Sequence, residues 1–189
     1  MLRVSRAGQS SKLHLWRFGP GSVAGLALAL ALLVSAAGAQ EAIAPDQGPG
    51  KAVADEGYDH VSAGTPITYA HRPPASGPHY PTWLRSGLYA EPHETGYWVH
   101  SLEHGYVVVL YNCSSDCPDL QGQLQQFYEA APKSASFGYQ KLVILPYSDM
   151  DHKLAAVAWD RIDELDQFDA GRLLAFYEAY ADRGPENAP

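Results

Sequence analysis

Beyond residue 105 the apolar positions of this chain switch between unbroken runs and spaced repeats, and the two patterns predict different elements. Residues 106–111 are a continuous β-branched, aliphatic and aromatic run, long enough for a buried strand and too short for a helix. Leu120, Leu124, Phe127 and Tyr128 then recur at three- and four-residue spacing, after a cap at Asp116 or Asp119 and before Pro132, which predicts a helix. Residues 141–146 and 154–159 are two further strand-length runs. Asp169 caps a last helix whose apolar face is Leu173, Leu174, Phe176, Tyr177 and Tyr180, closed by Gly184-Pro185. The acidic residues Asp160, Asp163, Glu164 and Asp166 read as a solvated turn ahead of that cap, and their spacing does not match a calcium-binding EF-hand loop.

The order strand, helix, strand, strand, helix predicts an α+β domain: a small mixed β-sheet with two packed helices. The first strand-helix-strand piece makes a right-handed parallel unit, and the next two strands a hairpin. The same order occurs in the C-terminal half of thioredoxin-like folds, a likeness at fold level that fixes no function. Residues 58–94 are dense in His, Pro, Gly and Tyr, with one short strand candidate at 66–70 and no helix signal. Such a stretch is expected as an ordered loop layer lying on the regular elements.

The N-terminus has another pattern. Arg3, Arg6, Lys12 and Arg17 precede an uncharged run at residues 23–39 that ends in Ala37-Gly38-Ala39. This reads as a secretory signal peptide (1–39) cleaved after Ala39, or as a retained N-terminal membrane anchor. Either way the remainder is expected outside the cytoplasm, periplasmic or secreted, with the membrane met only through this segment. Residues 40–57, rich in Ala, Pro, Gly and acidic side chains, read as a flexible tether, and 58–186 as one globular domain. Beyond residue 39 nine basic residues face 21 acidic ones, a formal charge of −12, which argues against a nucleic-acid partner.

Six of the eight histidines, His60, His71, His79, His93, His100 and His104, lie between residues 60 and 104. Neutral imidazole is a good donor to zinc and copper. In His100-Ser101-Leu102-Glu103-His104 two imidazoles four residues apart would share one face of a helical turn. The spacing also fits H-x-x-E-H, the inverted zinc-peptidase motif, but that enzyme needs the motif inside a sustained helix, which Gly105 and the strand after it would stop. Upstream, the proline-rich Pro73-Pro74-Ala75-Ser76-Gly77-Pro78-His79-Tyr80 pre-organises His79. The candidate metal ligands are therefore His79, His100, Glu103 and His104, with one copper or zinc ion as the expected cofactor. The alternative is that these side chains only hydrogen-bond within the loop layer, which is also the expectation for His60. His71, His93 and His152 read as surface residues. A lone thioether, Met150, would favour copper if it joined the histidines and otherwise packs in the core.

Cys113 and Cys117 are the only cysteines, spaced C-x-x-x-C between a strand and a helix. Outside the cytoplasm a structural disulfide is the simplest reading. A thiol-redox pair or soft copper ligands are the alternatives, and the pattern resembles that of copper-delivery thioredoxin-like proteins.

Pro73-Pro74-Ala75-Ser76-Gly77-Pro78-His79-Tyr80, Gly87-Leu88-Tyr89, His100-Ser101-Leu102-Glu103-His104-Gly105, Pro146-Tyr147, Ala158-Trp159 and Phe168-Asp169 occur in this order over residues 60–186. In these motifs the chain resembles the family catalogued as domain of unknown function 3105. The resemblance implies an exported or membrane-anchored bacterial protein, and it puts His79, His100, Glu103 and His104 inside the family's motifs. It supplies no reaction, and the cysteine pair lies outside its pattern. The expectation is an extracytoplasmic, non-catalytic metal-binding protein of the cell envelope, or else a structural or interaction module with a cell-envelope protein partner.

Overall fold

In a computed structural model, residues 48–113, 115–186 and 188–189 are described, and all of them fall within one compact unit. The signal segment and its cleavage point at Ala39 lie outside the described residues. Among the described residues nine elements follow one another: β1 (Lys51–Ala52), β2 (Gly87–Leu88), α1 (Thr95–Glu103), β3 (Val107–Tyr111), α2 (Pro118–Ala130), β4 (Leu142–Pro146), β5 (Leu154–Ala158), β6 (Arg161–Leu165) and α3 (Ala170–Tyr180). The fold is α+β, with one mixed six-stranded sheet in the order β1-β6-β5-β3-β4-β2. Among the described residues no helix is long and apolar enough to cross a membrane.

All five residues of β3 are buried, because both sheet faces are covered. Alternation along the strands divides the core in two. Val107, Val109 and Tyr111 face Leu120, Leu124 and Phe127 of α2 and Leu173, Phe176 and Tyr177 of α3. Val108 and Leu110, with Val143 and Leu145 of β4, face Trp98, Val99 and Leu102 of α1 and Ala75 of the proline-rich loop. The loop layer thus lies on the sheet face opposite α2 and α3, with α1 beside it.

β3 and β4 are parallel across α2, as the strand-helix-strand pattern predicts. The hairpin, however, is not the one expected. β5 pairs antiparallel with β3, on its far side from β4, and its hairpin partner is β6. β6 contains Asp163 and Glu164, two of the four acidic residues expected as a solvated turn. The turn itself is Trp159-Asp160, and Asp160 adopts φ 57°, which Asp tolerates better than most residues. Asp163 is buried because Arg172 of α3 grips both its oxygens, at 2.6 and 2.8 Å. An ion pair of this kind lets a carboxylate occupy a strand position that a hydropathy pattern assigns to solvent.

Three further expectations change. Residues 66–70 form no strand. The α2 cap is Cys117, which makes no side-chain cap bond, with Pro118 at the first helical position, whereas Asp169 does cap α3 by accepting from Arg172 N at 3.0 Å. Within the stretch read as a tether, β1 extends the sheet along β6, Val53 N donates to Asp160 O, and Tyr180 Oη donates to Pro49 O.

Candidate metal centre

α1 sets the geometry. Its first turn presents Gly96 to the ring of Tyr80, where a Cβ would approach to 2.8 Å, so only glycine lets the proline-rich loop lie this close to the helix. Trp98, Val99 and Leu102 fasten α1 to the sheet. The remaining side of its last turn, His100 and Glu103, points under the loop. The helix stops at His104, followed by Gly105 at φ 77°, the left-handed residue that suits a helix end.

The loop contributes His79, and backbone bonds His79 N to Asp59 O (3.0 Å) and Val61 N to His79 O (2.8 Å) lay His60 beside it. Four side chains then converge. The Oε2 atom of Glu103 lies 3.0 Å from His79 Nε2, 3.8 Å from His100 Nε2 and 4.0 Å from His60 Nε2. The chosen donor atoms of all four lie within 4.8 Å of one another. Donors of a tetrahedral zinc site sit about 3.4 Å apart, given metal–nitrogen bonds near 2.0–2.1 Å. His79, His100 and Glu103 are buried, while the His60 side chain is 44% exposed and is the one solvent-facing wall.

The outer nitrogens are already fixed. His79 Nδ1 is 2.9 Å from Gly77 O and His100 Nδ1 is 2.5 Å from Tyr80 O. A carbonyl only accepts, so each Nδ1 carries a proton and each Nε2 is the ring nitrogen that faces the cluster, the arrangement that orients metal-binding histidines. Burial pushes the His100 imidazole down to about 4, against the raising effect of its bond to Tyr80 O, so it stays neutral and able to donate to a cation. Burial lowers His104 as well, and raises Glu103 against the attraction of His79.

His104 belongs to a second group. Its Nε2 is 3.0 Å from His100 Nε2 and 3.3 Å from Glu186 Oε2, and Glu103, His104 and Glu186 form a separate convergent triplet. The four ligands predicted from sequence therefore divide between two groups that share Glu103. His60 joins the first, and Glu186 the second. Neither carried a specific sequence signal: His60 shares the histidine-dense stretch but belongs to none of the spaced or proline-rich motifs that singled out the other histidines, and Glu186 lies some 80 residues from its partners in an exposed terminal segment.

A family model described as "Protein of unknown function (DUF3105)" matches residues 60–189. The chain belongs to that family. His60, His79, His100, Glu103, His104 and Glu186 all fall inside the matched span. No curated protein and no solved structure matches the chain.

The sulfur atoms stand apart. Cys113 and Cys117 are joined as a disulfide and pack against the α2/α3 core, on the opposite sheet face from α1. Met150 is buried within the α1-side apolar core. The indole of Trp83 lies over His100 and His104, at 5.4 and 4.5 Å between ring centres, and Trp159 meets His79 edge-on at 6.4 Å. These rings shield the imidazoles from water.

Proposed function

We propose that this member of the family is an extracytoplasmic, non-catalytic metal-binding protein of the cell envelope that holds a zinc ion with His60, His79, His100 and Glu103. The observation carrying the reading is the convergence of three Nε2 atoms on Glu103 Oε2, with two of the opposite ring nitrogens fixed on backbone carbonyls. Three imidazoles and a carboxylate are a borderline-to-hard donor set, and with the cysteines bonded to each other and Met150 in the core, the soft sulfur ligands that select cuprous copper are missing from it. Four protein ligands would complete a tetrahedron, the closed arrangement of structural rather than catalytic zinc. Support for an extracytoplasmic location comes from the disulfide and from the apolar run at residues 23–39.

A second reading rests on the same atoms. The His79–Glu103 contact and the His100–His104 hydrogen bond satisfy one another without an ion, as they would in a structural module that docks a cell-envelope partner. Elemental analysis beside native mass spectrometry separates the two. Untagged protein reconstituted with zinc and dialysed is expected to retain the metal, and a His79→Ala/His100→Ala variant with an unchanged circular dichroism spectrum is expected to lose it. Wild-type protein that emerges metal-free would rule the ligand role out.

A further inference from the structure

Building on the proposed zinc site, we infer a second cation position at Glu103, His104 and Glu186, so that the centre takes two divalent ions bridged by the Glu103 carboxylate. The three imidazoles of the first group all approach one oxygen of Glu103, Oε2, and a bridging carboxylate turns its other oxygen to a second ion. His104 Nε2, buried, and Glu186 Oε2, 3.3 Å from it, form with a Glu103 carboxylate oxygen a group whose ligand atoms lie within 4.8 Å of one another. Ions sharing one carboxylate sit about 3.5–4 Å apart, the scale on which adjacent His100 and His104, with Nε2 atoms 3.0 Å apart, would each serve its own ion. Two neutral imidazole nitrogens this close in a buried site accommodate each other with one N–H between them, and a cation on each Nε2 would leave the His104 ring proton on Nδ1.

The terminal segment is built to deliver Glu186. Asp182 N donates to Gly105 O and Glu186 N to Glu103 O, both at 2.9 Å, so the chain after α3 is fastened along the end of α1. Lys141, buried beneath, donates from Nζ to His104 O at 2.7 Å and to Ala188 O. Gly184 lies in contact with the backbone of Glu103 and Gly105, a fit that no side chain would permit. These contacts fix a half-exposed carboxylate beside a buried imidazole, where a simple surface glutamate would extend into water.

One imidazole and two carboxylates, one of them solvent-facing, form a weaker and more rapidly exchanging site than the first. Zinc titration of the full chain by calorimetry, with bound metal counted by elemental analysis, tests it. Wild type is expected to bind two equivalents in two phases. Glu186→Gln, which keeps shape and removes charge at an exposed position, is expected to abolish only the weaker phase, and His104→Gln to do the same. Loss of a direct ligand should exceed the roughly 10–100-fold cost of losing an outer-shell partner. A wild type that saturates at one equivalent, or a Glu186→Gln variant that still takes two, would overturn the second position and leave the first standing. No bound zinc in any form would overturn both.

Discussion

Single atoms decide what this cluster does. The Nδ1 atoms of His79 and His100 are committed to backbone carbonyls of the loop that the motif Pro73 to Tyr80 encodes, so the proline-rich sequence fixes tautomers as well as positions. Keeping imidazoles neutral and buried has a consequence at acid pH. His100, at about 4 in the folded protein, lies below the unfolded value near 6.5, so between those values the unfolded chain binds more protons than the folded one. His104 is displaced in the same direction, while Glu103, raised by burial, contributes stability that is present at low pH and lost as pH rises through its folded pKa. The His100 displacement is the large one of the three, and it sets the sign. The chelator-treated protein is therefore expected to lose stability as pH falls from about 6.5 towards 4, and His100→Gln to flatten that slope. Urea unfolding at several pH values checks this. An unfolding midpoint unchanged between pH 7 and 5 would mean the imidazoles are not held neutral.

At the scale of elements, the helices and strands with one clear period were legible in the sequence, and those whose signal depends on a distant partner were not. β3, β4, β5, α2 and α3 follow from apolar run or spacing. β6 was hidden because Asp163 and Glu164 break the apolar pattern, and Asp163 is tolerated only through Arg172 on α3. α1 was hidden because its buried face includes Gly96, His100, Ser101 and Glu103, residues that carry no hydropathy signal. The motif named His79, His100, Glu103 and His104, whereas His60 and Glu186 reach the centre only through the loop bridge and the terminal segment. That segment gives a test of its own. A Cβ on Gly184 would overlap the backbone of Glu103 and Gly105, and backbone cannot swing aside. Gly184→Ala is expected to release the chain after Tyr180, exposing it to limited proteolysis and costing about 1–3 kcal/mol. A variant as protease-resistant and as stable as wild type would show that the segment is not held against α1 in solution.

The described residues form a sheet with a different task on each face. One face carries α1, the loop layer and the imidazole cluster, while the other carries α2, α3 and the disulfide. Because β3 is buried on both sides, the faces share a backbone but no side chains. Stability lost on one should therefore leave ligand geometry on the other intact, provided the domain stays folded. Cys113 and Cys117 are four residues apart, and closing so short a loop removes little entropy from the unfolded chain, about 2 kcal/mol in the chain-entropy model. The Cys113→Ser/Cys117→Ser protein is thus expected to unfold at lower urea, by about that amount, and to bind zinc with the stoichiometry of wild type. Zinc itself, binding only the folded state, should stabilise both proteins equally, by about 2.7 kcal/mol at a free concentration a hundred times Kd. If the serine variant instead lost metal in proportion to its loss of stability, the two faces would be one cooperative unit. The disulfide would then act on the centre through β3, the strand that joins the end of α1 to Cys113.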